Sequence, residues 1–166
     1  MPTMKPSMNS ADVCAALLSV EPSIRLQITG SSMEPILPRG QSVVCKRNDQ
    51  LISGNCYFFR YRQRLLVHRL VKVTDTTAVF MGDNSNSIEW VGSRDILAEL
   101  DDTTLRLYKF GTTIINRICL LGAVRFPFPI RRGIMRLRRK ALVIMYRCTS
   151  YLRKGGITIN RRGRRL

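Results

Sequence analysis

The sequence predicts a mainly β, antiparallel domain, preceded by a short helix and followed by a basic, partly helical C-terminal appendage. Three observations carry that expectation. Short runs rich in Val, Ile, Leu, Phe and Tyr recur between residues 24 and 100. Turn residues separate them at close spacing, which is the pattern of an antiparallel sheet. Finally, charge is split along the chain. Residues 1–110 hold all 11 acidic residues beside 13 basic ones, whereas residues 111–166 hold 15 basic residues and no acid. The total is +17. Domain organisation is therefore expected as residues 1–110, nearly neutral, and residues 111–166, strongly cationic.

Taken in order, Ser10 is a candidate N-cap for a helix over 11–20, with Val13, Ala16, Leu17 and Val20 on one face. Pro22 closes it. Ile24 to Ile28 alternates as a half-buried strand and leads into Gly30-Ser31-Ser32-Met33-Glu34-Pro35. Gly30 is expected to permit a turn that a Cβ would resist. Pro38-Arg39-Gly40 turns the chain into a strand over 42–46, and loop signals follow at Asn48-Asp49-Gln50 and Ser53-Gly54-Asn55. Cys56 to Tyr61 and Leu65 to Val73 read as strands around the polar turn Arg62-Gln63-Arg64. Asp75-Thr76-Thr77 turns into a strand over 78–81, which ends at Gly82-Asp83-Asn84. Trp90-Val91 and Ile96 to Leu100 complete the series.

Cysteines at 14, 45, 56, 119 and 148 are odd in number and form no CxxC pair. A disulfide framework or structural zinc site is not expected, and unpaired thiols point to a reducing compartment. The first ten residues have no long apolar core of a secretory signal. Arg125 and the run Arg131 to Lys140 interrupt the apolar stretches, so none reaches the ~18–20 residues of a membrane span. No metal or cofactor is expected.

The candidate chemistry lies in three short motifs. A serine at a strand end beside glycine can be exposed to substrate while its own N–H helps hold an oxyanion. His68, the chain's single histidine, lies mid-strand in Leu66-Val67-His68-Arg69-Leu70. An imidazole with an ordinary pKa near ~6.5 is the commonest general base. Gly82-Asp83-Asn84 places a carboxylate at a strand end. Each is commonplace alone: a Ser/Gly turn, a packed strand histidine, an Asp-Asn turn.

Their order is not commonplace. Ile28 to Leu37, Leu66 to Val71 and Phe80 to Asn84, with Ile96 to Leu100 as a closing strand, resemble the signal peptidase I-like serine peptidases. That superfamily includes membrane signal peptidases and self-cleaving LexA-like repressors. The resemblance covers residues 24–100 and implies a signal peptidase/LexA-like β-domain with Ser32 as nucleophile and His68 as general base. His68 followed by Arg69 is the histidine-type pattern, where many bacterial members have lysine. Asp83 matches the Gly-Asp-Asn motif, and Glu89 stands six residues on, where histidine-type members carry a second acid. Either acid could orient His68. Gly30 takes the place of a serine that supports the oxyanion in membrane signal peptidases. The oxyanion and substrate contacts then fall to Ser31, Ser32 and Met33, mainly through backbone N–H groups. Residues 1–23 are too short for the repressors' helix-turn-helix.

These features imply a serine endopeptidase for leader or signal-type peptides, cytoplasmic and peripheral at the membrane surface. Two other readings stay open: an inactive peptide-binding module of the same fold, and a basic nucleic-acid-binding protein. Between Gly133 and Gly155, Ile134, Leu137, Ala141, Leu142 and Met145 recur at helical spacing, with Arg136, Arg139, Lys140 and Arg147 mostly elsewhere. A basic amphipathic helix suits an anionic membrane. It equally suits a helix packed on the β-domain with a solvated basic face. Fifteen uncompensated bases also bind nucleic acid non-specifically, but no groove-reading motif favours that partner.

Overall fold

Alternation of apolar and polar residues after Pro22 yields strand β1 (Ser23–Gln27), and each later strand falls within a residue or two of its expected run. These are β2 (Ser42–Lys46), β3 (Cys56–Tyr61), β4 (Arg64–Val73), β5 (Thr77–Met81), β6 (Glu89–Gly92) and β7 (Ile96–Leu100). Helix α1 spans Ser10–Val20, residues 112–121 form α2, and α3 spans Phe128–Lys154. The structure is a computed structural model that describes residues 10–47, 50–62, 64–101, 112–121 and 128–154. Asn48-Asp49, Gln63, Arg125 and Gly155, which entered the sequence reading, lie outside the described residues.

The strands make one sheet in the order β1-β2-β7-β3-β4-β5-β6, with every neighbouring pair antiparallel. This is the mainly β, antiparallel fold that the sequence predicts. The central strands lack clean alternation because both faces of the sheet are covered. In β4 and β5, Leu70, Ala78 and Phe80 pack with Tyr57 and Phe59 on one face. Their neighbours Val71, Val79 and Met81 pack against Leu120 of α2 and Met135 of α3 on the other. A third cluster joins Leu18 of α1 to Met33, Ile36 and Leu37, with Met145 and Tyr146 of α3 against it.

Two expected faces are corrected. Helix α1 buries Cys14 and Leu18, while Val13, Leu17 and Val20 are exposed. Apolar residues surround this helix, so periodicity could not select the inner face. An ion pair from Arg60 Nη2 to Asp12 Oδ1 at 3.0 Å joins α1 to β3. On α3, Leu142 is buried, but Leu137 is 68% exposed and the inner positions include Met135 and Arg138. Arg138 makes polar contacts that determine how the helix seats.

Among the described residues, no helix is long and apolar enough to cross a membrane, and no cluster of metal-ligating side chains occurs.

Candidate active site

The chain leaves β1 through Ile28, whose N–H donates to Gln41 O, while Gly40 N–H donates back to Ile28 O. These bonds close the Pro38–Gly40 turn, where Gly40 has φ +86°, and frame the segment carrying Ser32. Met33, Ile36 and Leu37 are buried beneath it. Ser32 therefore sits over an apolar anchor while remaining partly exposed itself. Gly30 does not fit its expected role: its φ is not positive, and a Cβ there would meet nothing within 4 Å.

Ser32 Oγ lies 2.9 Å from His68 Nε2, and His68 Nδ1 lies 2.8 Å from Glu89 Oε2. Both His68 and Glu89 are 3% exposed. Glu89 is the first residue of β6, and β6 pairs with β5, which pairs with β4 bearing His68. Sheet register thus brings residues 21 positions apart into contact. The imidazole also meets Phe59 edge-on, with ring centroids 5.9 Å apart. Ser87 Oγ donates to Glu89 Oε1, and Ser85 and Ser87 hydroxyls are 2.6 Å apart. One hydrogen-bonded array runs Ser85–Ser87–Glu89–His68–Ser32.

Gly82 is the glycine whose missing side chain matters. A Cβ there would fall 2.7 Å from His68 Nε2 and 2.8 Å from Ser32 O. Two residues on, Asn84 donates its N–H to Ser32 O at 2.6 Å and its Nδ2 to Ser31 O at 3.2 Å. Ser31 is exposed, whereas the buried Met33 accepts the Asp83 N–H at its sulfur, 3.4 Å away.

Asp83 does not reach His68 through a hydrogen bond; it faces Arg69. Arg69 Nε donates to Asp83 Oδ1 at 3.1 Å and Nη2 to Oδ2 at 2.7 Å, while Nη1 donates to Gly54 O at 2.7 Å. Both side chains are fully buried. Burial alone would push the guanidinium down, but Asp83 and Cys56 more than reverse this, so its net shift is upward. The bidentate geometry is the strong form of the charge-assisted bond.

Beside Ser32 lies an open groove of about 560 Å³, lined by Leu26, Ile28, Met33, Phe58, Leu65 and Val67 among others. β1, which contributes to its wall, is an edge strand of the sheet.

The structure thus brings together Ser32, His68 and Glu89, and sets Asp83 apart with Arg69. Sequence reasoning missed the support from Phe59, Ser85 and Ser87, and missed Arg138. Helical spacing held a signal for Arg138, which falls between Met135 and Leu142 on the inner face of α3.

Residues 8–95 match the Peptidase S24-like family. No curated protein matches the chain. The match contains Ser32, His68, Asp83 and Glu89, ends before α2 and α3, and covers more than half of the chain. On that match, which spans strands β1 to β6 and the whole array, the chain belongs to the Peptidase S24-like family.

Proposed function

We propose that the protein is a serine endopeptidase acting on leader or signal-type peptides, with Ser32 as nucleophile, His68 as general base and Glu89 as the acid that orients His68. The observation that carries this reading is the Ser32–His68–Glu89 array beside an apolar groove in a Peptidase S24-like domain. With Nδ1–H donated to Glu89, Nε2 keeps its lone pair for the Ser32 hydroxyl. Ser32 Oγ bonds to the scissile carbonyl carbon as its proton passes to Nε2. The C–N bond then breaks and the same nitrogen protonates the leaving amine. Water then gives a proton to Nε2 as its oxygen bonds to the acyl carbon, and the acyl–Oγ bond breaks as Nε2 passes that proton to Ser32 Oγ. Backbone N–H groups at Ser32 and Met33 are the nearest candidates for the oxyanion, with the Ser31 hydroxyl as a helper. An extended peptide adding to the outer edge of β1, the terminal strand of the sheet among the described residues, would carry apolar side chains into the groove and its carbonyl to Ser32.

A fluorophosphonate probe tests the nucleophile. Its adduct is expected on Ser32 by peptide mass spectrometry, alongside cleavage of an apolar peptide library that Ser32→Ala abolishes. Peptide binding without an adduct or cleavage would instead mark an inactive binding module.

The second part of the proposal is that the outer faces of α2 and α3 contact an anionic membrane. Ile118, Leu121, Leu137 and Ile144 are each more than 60% exposed. Exposed Arg136, Lys140 and Arg147 accompany the apolar residues on α3. Residues 1–110 would then hold the chemistry and residues 111–166 the surface contact.

A further inference from the structure

Arg138 is 1% exposed, in the middle of α3 and outside the span of the family match. Its side-chain hydrogen bonds go to neutral acceptors. Nε donates to Asn116 Oδ1 of α2 at 2.6 Å, Nη1 to Ser85 O at 2.8 Å and Nη2 to Gly82 O at 2.7 Å. A buried guanidinium carries a heavy desolvation cost, and an apolar residue at this inner helical position would avoid it. Burial pushes Arg138 down; Asp83, Cys119 and Glu89 push it up, Arg69 opposes them, and the net shift is downward. Such a side chain is explained by what it grips.

It grips both ends of the Gly82–Ser85 turn. That turn already closes on itself through Ser85 N–H to Gly82 O. Three of its four residues lead to the array. Gly82 abuts the His68 ring and Ser32 O, and Asn84 N–H binds Ser32 O. Ser85 continues through Ser87 to Glu89. A planar fork with fixed donor directions can hold two carbonyls and an amide oxygen at once, which a flexible ammonium cannot. We propose that Arg138 is a positioning residue for Ser32, His68 and Glu89, acting through the Gly82–Ser85 turn, so that the C-terminal helices are a working part of the active site. This rests on the peptidase reading above.

The single histidine gives a readout that needs no catalysis. In the full-length protein, the ring 15N and 1H signals of His68 report its tautomer and hydrogen bonds. Arg138→Met and Arg138→Lys are compared with the wild type under conditions where each is fully folded. The expected result is displaced His68 ring signals and fluorophosphonate labelling of Ser32 slowed on the order of a hundredfold in Arg138→Met, because small misplacements of a catalytic pair have effects of that size. Arg138→Lys should restore part of the rate. Asn116→Ala, which removes one anchor of the fork and leaves the carbonyls, should fall between wild type and Arg138→Met. If Arg138→Met does not fold, Arg138→Lys and Asn116→Ala decide by the same two readouts. Wild-type ring signals in the folded variants, with unchanged labelling, would overturn the proposal. Absence of labelling in the wild type would defeat the peptidase reading instead, and the ring signals would still decide the role of Arg138.

Discussion

Glu89 Oε2 sits 2.8 Å from His68 Nδ1, and both side chains are buried, whereas Asp83 is bound bidentately by Arg69. The two acids that the sequence offered for one role therefore have different partners. Replacing each by its amide should separate them. Glu89→Gln is expected to lower turnover by about 10²–10⁴-fold with the fold intact, since the imidazole loses its orienting charge. Asp83→Asn leaves a buried cation without its counter-charge and should lower stability by about 3–5 kcal/mol. Urea unfolding and peptide cleavage, measured on both variants, check this. Equal turnover in Glu89→Gln and wild type would reduce the centre to a Ser32–His68 dyad.

Ser32→Ala and His68→Ala should both be inactive, and the double variant no worse than either, because the two groups act as a unit. Their stabilities should differ. Ser32 is partly exposed and its loss removes one hydrogen bond. Loss of His68 leaves Glu89 buried with its remaining Ser87 contact. Cleavage persisting in purified Ser32→Ala would remove the proposed nucleophile.

Much of this site was legible in the sequence because its parts sit in or beside short, recognisable strand runs. Strand runs and turn residues placed Ser32 and Asp83 in turns beside strands and His68 within one, and the family resemblance singled out Glu89 six residues after Asp83. Pairing of the acids was not legible. It depends on the β4–β5–β6 register, including an irregularity between Leu70 and Lys72, that no local pattern encodes. The inner face of α1 was misread because Val13, Leu17 and Val20 are as apolar as Cys14 and Leu18. Arg138 was missed for the opposite reason: a charge is ordinarily solvated, and its burial is set by carbonyls 53 and 56 residues away in sequence.

Gly82→Ala is expected to abolish cleavage. The new methyl would meet an imidazole nitrogen at 2.7 Å and the Ser32 carbonyl at 2.8 Å, so either the ring or the backbone must shift. The φ of Gly82 is not positive, and the effect is therefore one of space rather than backbone strain. A stability loss of about 1–3 kcal/mol should accompany it, as for other overpacked sites. Gly30→Ala is the control, with open space at its Cβ position. Equal activity of Gly82→Ala and wild type would show that the ring and the Ser32 segment can separate freely.

Thiol reactivity should divide the cysteines. Cys148 is exposed, while Cys14, Cys45, Cys56 and Cys119 are buried. Burial, reinforced by Cys14, pushes the Cys45 thiol up to about 12 from an ordinary value of 9.0. At neutral pH, iodoacetamide should label Cys148 first and Cys45 only after unfolding. The sign for stability follows from the same shift. The unfolded chain releases this proton near 9 while the folded protein holds it to about 12, so the contribution of Cys45 is complete below 9 and falls as pH rises between those values. Rapid Cys45 labelling in the folded state at neutral pH would contradict this assignment.

The outer face of α3 should bind anionic vesicles through two terms that salt separates. Ile130, Leu137 and Ile144 recur every seven residues and are exposed, and Arg136, Lys140 and Arg147 are exposed on the same helix. Each base at an anionic surface contributes about 1 kcal/mol, and the apolar stripe adds burial at the headgroup boundary. The charge term weakens as the Debye length falls to ~10 Å at 0.1 M salt, whereas the apolar term persists. Leu137→Ser with Ile144→Ser should therefore leave a weak binding that high salt abolishes. Arg136→Glu with Lys140→Glu should leave binding that salt affects less than in the wild type. Substitutions serve here better than truncation before α2, because removing α3 would also remove Arg138 from beneath the Gly82–Ser85 turn. Vesicle cosedimentation on phosphatidylserine membranes, with phosphatidylcholine as the uncharged control, provides the measurement. Equal partitioning of both double variants and wild type would place the contact elsewhere and leave α3 as a helix packed on the sheet with a solvated basic face.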